Sequence, residues 1–193
     1  MVDKLQEGIQ KITGLLQAME GTRRQGTRGQ GTSDQLQRFI DAQDSGITNP
    51  PLDRVGTTYD IALHDMKQHG KKLGHWVWYC FPHFVEENPK LSNTSRYFQI
   101  NGAREAIAYF QNDILRTRYI ELARVIVRKT GPSMLATKTV ADVLGADDVN
   151  KIYKSATLFK LVAEYLVNQA PLNTELIDFI NNILTTIITR TAQ

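Results

Sequence analysis

From Ser33 to the C-terminus, apolar residues recur every three or four positions without a convincing stretch of paired alternation, and this spacing confines the chain to helical architectures. Leu36, Phe39 and Ile40 form one face of a short helix that Ser33 or Asp34 can cap. Tyr59, Ala62, Leu63 and Met66 mark the next, with Gly70 placed as its C-terminal stop. Asn101 can cap a helix carrying Ala106, Ile107, Tyr109 and Phe110, and Asp113 begins a longer one with Ile114, Tyr119, Leu122, Val125 and Ile126. Val140 to Leu144 make a short turn closed by Gly145. A helix following Asp148 turns Ile152, Leu158, Phe159, Val162 and Leu166 inward, and the last follows Asn173 with Leu176, Ile180, Ile183, Leu184 and Ile187. Residues 46 to 58, with Pro50-Pro51 and two glycines, read as a loop. The β-branched and aromatic residues of Val77–Phe81 and Ile183–Ile188 are the two places where a short strand competes. The expected fold is all-α, a single multihelical domain of about six to eight helices.

The first 32 residues stand apart. Leu5, Ile9, Ile12, Leu16 and Met19 follow spacings of 4, 3, 4 and 3, a coiled-coil seam two heptads long. A helix that short frays alone, so its stripe needs a partner surface: the domain's own body, or a second copy in a homo-oligomer. Asp3, Glu7 and Glu20 argue against a mitochondrial presequence. The stretch Gly21 to Thr32 holds four glycines, three arginines and no apolar side chain, so it reads as a flexible tether. The expected organisation is therefore an amphipathic helix and linker over 1–32, then a helical domain over 33–193.

A chain of 193 residues suffices for one domain with a sizeable core. Its net charge of +3 is compatible with an anionic ligand but falls short of the clustered basicity that nucleic-acid binding needs. The lone Cys80 excludes an internal disulfide and suits a reducing compartment. No apolar run is long enough to span a membrane and no secretory signal is evident, so the cytoplasm is the expected location.

Residues Gly70 to Pro82 gather both tryptophans, the one cysteine and one of the four histidines. On a helix, His75 lies with Trp78 and Tyr79, and Trp76 with Cys80. In one reading an indole stacks a flat ligand while His75 donates a hydrogen bond or proton, with Lys71 and Lys72 alongside. In the other, more ordinary one, the aromatics are core and His75 is satisfied by a backbone carbonyl. Asp148, Lys151 and Ser155 share a helical face and could hold an anion near a helix start. More simply, Asp148 is an N-cap, Lys151 a solvated charge, and Ser155 bonds its own backbone. Arg116, Arg118, Arg124 and Arg128, with Lys129, decorate one long helix; a solvated face paired with Glu121 is the plain reading and a phosphate clamp the alternative. Cys80 and His83 have half the spacing of a zinc site, yet no second cysteine exists and His64 and His69 do not share a helical face, so no metal is expected. Between Tyr79 and Phe81, Cys80 is expected to be buried with a raised pKa. No glycine-rich phosphate loop, nucleophile elbow or paired-carboxylate signature occurs, and no cofactor is expected.

Several segments carry a resemblance. They are Gln35-Leu-Gln-Arg-Phe-Ile-Asp-Ala-Gln43, Tyr59-Asp-Ile-Ala-Leu63, and Gly70-Lys-Lys-Leu-Gly-His-Trp-Val-Trp-Tyr-Cys-Phe-Pro82, a G-x-K-x-x-H-W-x-W-x-x-F-P motif. Tyr97, Ile100, Arg104-Glu-Ala-Ile-Ala-Tyr109, Arg118 and the run from Gly145 to Phe159 complete the set. Together they resemble a family of small all-helical bacterial domains of unknown function, sometimes labelled calpastatin-like. The resemblance covers Asp34 to Leu184, and His75-Trp-Val-Trp78 and Ser155-Ala-Thr-Leu-Phe159 are its most specific pieces. It implies one all-helical domain and no known reaction. The chain departs from the pattern at His83, where the family usually has glutamine, at Arg116, where it has glycine, and at Tyr153-Lys-Ser-Ala156, where it favours Arg-Ser-Ser-Met.

The leading expectation is a non-catalytic domain that binds a small anionic, ring-bearing molecule such as a nucleotide-like metabolite. Its candidate contacts are Lys71, Lys72, His75, Trp76, Trp78, Arg118, Asp148, Lys151, Ser155 and Thr157. The rival is a protein-interaction or assembly module that uses the Leu5–Met19 helix. A third reading gives His75 acid–base work, but it lacks a partnered nucleophile or carboxylate.

Overall fold

A computed structural model describes residues 31–48, 50–52, 55–84, 91–130, 138–167 and 174–191, together with Gly14. The Leu5–Met19 stripe and most of the glycine- and arginine-rich stretch lie outside the described residues. Among the described residues the chain is all-α, with nine helices and no strand. No helix there is long and apolar enough to cross a membrane.

The first helix, α1 (Gly31–Ser45), includes Ser33 and Asp34, the residues expected to precede it. The second, α2 (Tyr59–His69), starts on Thr58, whose hydroxyl accepts from Ile61 N. It stops at Gly70, which takes the left-handed φ of 59° that glycine adopts without a Cβ clash. The short α3 (Val77–Cys80) makes one helical turn where a strand competed in the sequence, and α4 (Asn93–Tyr97) adds a second short helix that periodicity does not register. Helix α5 (Ala103–Gln111) is preceded by Gly102, not capped by Asn101; the Asn101 N–H donates instead to Glu105 Oε2 at 2.6 Å. Asn112 caps α6 (Asp113–Lys129) by accepting from Leu115 N. Ile114, on the expected inner face, points outward at 52% exposure.

Thr139 and Asp142 form a reciprocal capping box on α7 (Val140–Leu144), which Gly145 closes. Helix α8 (Ala146–Val167) follows at once, so Asp148 is the third residue inside the helix and not its cap. Helix α9 (Thr174–Thr191) absorbs the second competing strand, and it packs along α8 and against α6.

The core is a stack of aromatic rings between these helices. Phe159 of α8 lies 5.2 Å from Phe110 of α5 and 4.9 Å from Tyr119 of α6, and Phe81 lies 4.6 Å from Tyr119. Such pairs add about 0.5–1.5 kcal/mol each beyond the area they bury. Trp76, Val77, Tyr79, Cys80 and Phe81 all point into this stack and are essentially fully buried. A buried clamp closes one end: Arg38 of α1 donates to Glu105 at 2.7 Å, to Tyr97 O at 2.8 Å and to Gln99 O at 2.9 Å. The core thus claims most of the Gly70–Pro82 segment and leaves His75 and Trp78 toward the surface.

Candidate functional site

The segment between α2 and α3 is held tightly at three points. Gly70 turns the chain, and Lys72 N donates to Val143 O at 2.7 Å, tying the loop to α7. At Gly74 a Cβ would stand 2.1 Å from Thr57 Oγ1, so only glycine admits this approach of loop to loop. Trp76 then enters the core, and one turn of helix returns Trp78 to the surface beside the start of α8.

Around Trp78 the structure gathers charge. Asp148, only 6% exposed, accepts from Lys151 at 2.5 Å and pairs with Lys72 at 2.9 Å. The Lys151 ammonium also lies 4.9 Å from the centre of the Trp78 ring, close enough for cation–π attraction. His75, exposed, sets its ring 6.1 Å from that of Trp78 at an interplanar angle of 33°. The indole Nε1 of Trp78 is buried and has no acceptor among the described residues, and the same holds for Trp76.

His83 completes the cluster. Its carbonyl accepts from Ile100 N at 3.1 Å, and its Nδ1 lies 3.5 Å from Phe81 O. Burial pushes the imidazole down to about 4, helped by Lys154 and Lys151 and opposed by the Phe81 carbonyl and Asp148. It is therefore neutral at neutral pH. Lys154, half-buried one turn beyond Lys151, has no carboxylate partner among the described residues. Lys72 and Lys151 thus share the Asp148 carboxylate beside the Trp78 indole.

The expected contacts divide accordingly. Lys72, His75, Trp78, Asp148 and Lys151 come together; the remaining five do not. Trp76 is core, as the plain reading of the aromatics required, whereas His75 is exposed and held by no carbonyl among the described residues. Lys71 is exposed and contributes to the field on Asp142, whose carboxyl is held low chiefly by its Thr139 hydrogen bonds. Arg118 pairs with Asp44 at 2.7 Å and lies over the Tyr59 ring, away from this cluster. Ser155 is fully buried; it donates to Pro82 O at 2.8 Å and sits 3.2 Å from the Tyr119 hydroxyl, so it bonds a distant backbone and not its own. Thr157 Oγ1 is buried without a hydrogen-bond partner among the described residues.

His83, weighed in the sequence as half of a zinc spacing, and Lys154 beside it were not among the expected contacts. The signals were present: His83 follows the signature directly, and Lys154 stands three residues after Lys151. Arg116 pairs with Asp113, and Glu121 takes its partners from α2, Lys67 at 2.8 Å and the Tyr59 hydroxyl at 2.7 Å. Those two bonds hold the Glu121 carboxyl below its usual range. Cys80 is buried as expected, and burial drives its thiol far above the reactive range. An open hollow of about 470 Å³, lined by Pro50, Pro51, Leu52, Asn93, Arg96 and Tyr97, shares no residue with the lysine cluster.

A family model described as a protein of unknown function (DUF1810) matches residues 33–181. No curated protein and no solved structure matches the chain.

Proposed function

The chain belongs to the DUF1810 family of proteins of unknown function, and from that premise we propose that its domain is a non-catalytic binding module for a small anionic, ring-bearing metabolite such as a nucleotide. The observation that supports this is the lysine charge beside Trp78: Lys72 and Lys151 share the single carboxylate of Asp148, and the Lys151 ammonium lies over the indole. Half-buried cations interact with an anion more strongly than solvated ones, because the effective dielectric beside protein is well below that of water. The Trp78 face offers stacking worth about 1–3 kcal/mol for a flat ring. His75 stands beside it as an exposed second aromatic group. In this reading the ring lies on Trp78 near His75 and the anionic group reaches the lysines of α8.

The test is a thermal-shift screen of the full chain against nucleotides and phosphorylated metabolites, repeated with His75→Ala. A native-state ligand raises the melting temperature by mass action. His75 is exposed, so His75→Ala leaves the fold intact, and a shift that disappears in this variant supports the site. If no compound in the panel raises the melting temperature, the binding reading fails.

A further inference from the structure

Resting on that binding reading, we infer that Lys151 is a latch on the Trp78 face. Its ammonium stands where a flat ring would stack, and only a ligand whose own anionic group draws it away gains that face. The Lys151 Nζ lies over the indole, 4.9 Å from the ring centre. A stacked ring sets its own centre about 4.5–7 Å from its partner's, so ring and ammonium compete for one space. The latch is fastened at two points one turn back on α8. Nζ donates to Asp148 Oδ1 at 2.5 Å and to the Asp147 carbonyl at 3.3 Å. Both bonds, and the attraction to the ring, are lost when the ammonium moves off. A neutral ring displaces all three and replaces none, whereas an anionic ligand accepts from the same ammonium and restores a charge-assisted bond.

Asp148 is what makes the release feasible. The carboxylate is only 6% exposed, and a charge left without a partner at that depth is strongly destabilising. Its second oxygen, however, lies 2.9 Å from Lys72, whose backbone N–H is itself fixed to Val143 O at 2.7 Å. Lys72 therefore stays with Asp148 when Lys151 leaves, and no buried charge is stranded. The Lys151 side chain is 23% exposed against 13% for Lys72, so it is the one that a ligand arriving from solvent meets. Lys72 secures the carboxylate, and Lys151 is the lysine that moves.

The experiment is calorimetric titration of the full chain at pH 7.5 with adenosine, guanosine, cytidine and uridine, each beside its 5′-monophosphate. It is run on the parent protein, on Lys151→Met and on Lys72→Met, each variant checked for an intact melt. In the parent at least one monophosphate should bind about tenfold or more tightly than its nucleoside. Lys151→Met opens the indole face, so the nucleoside should bind it several-fold more tightly than the parent while the monophosphate weakens. Lys72→Met leaves Asp148 dependent on Lys151, so the latch holds harder and both ligands should weaken several-fold. For the nucleoside the two variants carry opposite signs, and either one that folds decides the matter. A monophosphate no tighter than its nucleoside in the parent overturns the latch and leaves the binding reading standing. So does a nucleoside that binds Lys151→Met no better than the parent, or a Lys72→Met that binds both ligands as the parent does. Absence of binding by the whole series, in the variants as in the parent, overturns both.

Discussion

Lys151 holds its ammonium 4.9 Å from the centre of the Trp78 ring. The same ammonium donates to Asp148 at 2.5 Å, so one side chain couples the indole face to the buried carboxylate. Removing it should therefore be felt in the fold as well as in binding. Lys151→Met leaves Asp148 with Lys72 alone and strips the cation from the ring. The expected loss is about 1–2 kcal/mol, from a weakened ion pair and a lost cation–π contact. Urea denaturation at pH 7.5 measures it as a lower midpoint at constant slope. A midpoint equal to that of the parent protein contradicts the coupling.

Lys154 makes the opposite case. It is half-buried and has no carboxylate partner among the described residues, so the fold gains nothing from its charge. Lys154→Met keeps the aliphatic stem and should change stability by less than about 0.5 kcal/mol or raise it slightly. The same urea series, run beside Lys151→Met, separates a lysine held by the fold from one left free for a ligand. If both variants lose stability equally, Lys154 is structural.

The Arg38–Glu105 clamp carries a larger cost. Glu105 is 4% exposed and accepts from both Arg38 and Asn101 N. Arg38→Met strands that carboxylate, frees the carbonyls of Tyr97 and Gln99, and should destabilise the domain by about 3–5 kcal/mol. Glu105→Gln keeps an acceptor for Asn101 N and removes the buried charge, so its cost should be smaller. Thermal unfolding of the two variants decides this; a milder Arg38→Met would mean that the pair lies in a wetter environment than its burial indicates.

How far this arrangement could be read beforehand depends on which interaction decides each residue. Gly70 and Gly145 end helices because of local backbone chemistry, and both stops were legible in the sequence. The inward stripe of α8 followed from spacing alone: Ile152, Leu158, Phe159, Val162 and Leu166 are all buried. Trp76 and Trp78 were not separable in this way. They stand two residues apart in a single-turn helix, and only the packing of Trp76 against Phe81 and the approach of α8 decide which indole stays outside. Asp148 reads locally as a cap, yet α8 starts at Ala146 and the carboxylate is drawn to Lys72, 76 positions earlier in the chain. Arg118 is drawn to Asp44 and Tyr59 for the same reason, since they reach it from helices that no sequence spacing relates to α6.

His83 gives the fold its own acid sensitivity, with a definite sign. In the unfolded chain its imidazole titrates near 6.5, whereas burial, helped by Lys154 and Lys151, lowers it to about 4 in the native state. Between those values the unfolded chain binds a proton that the native state refuses, so this group's stabilising contribution is complete above pH 6.5 and is lost as pH falls toward 4. The loss across that window is on the order of 3 kcal/mol. His83→Gln has no proton to take up, and it leaves every carboxylate in place, so their contributions cancel between the two proteins. Unfolding free energies from urea titrations at pH 4.5, 5.5, 6.5 and 7.5 should show the parent losing more stability than His83→Gln as the solution is acidified, with a constant difference above pH 6.5. Parallel profiles across the whole range would mean that the imidazole titrates normally in the native protein, and His83 would then add positive charge to the lysine cluster below pH 6.5.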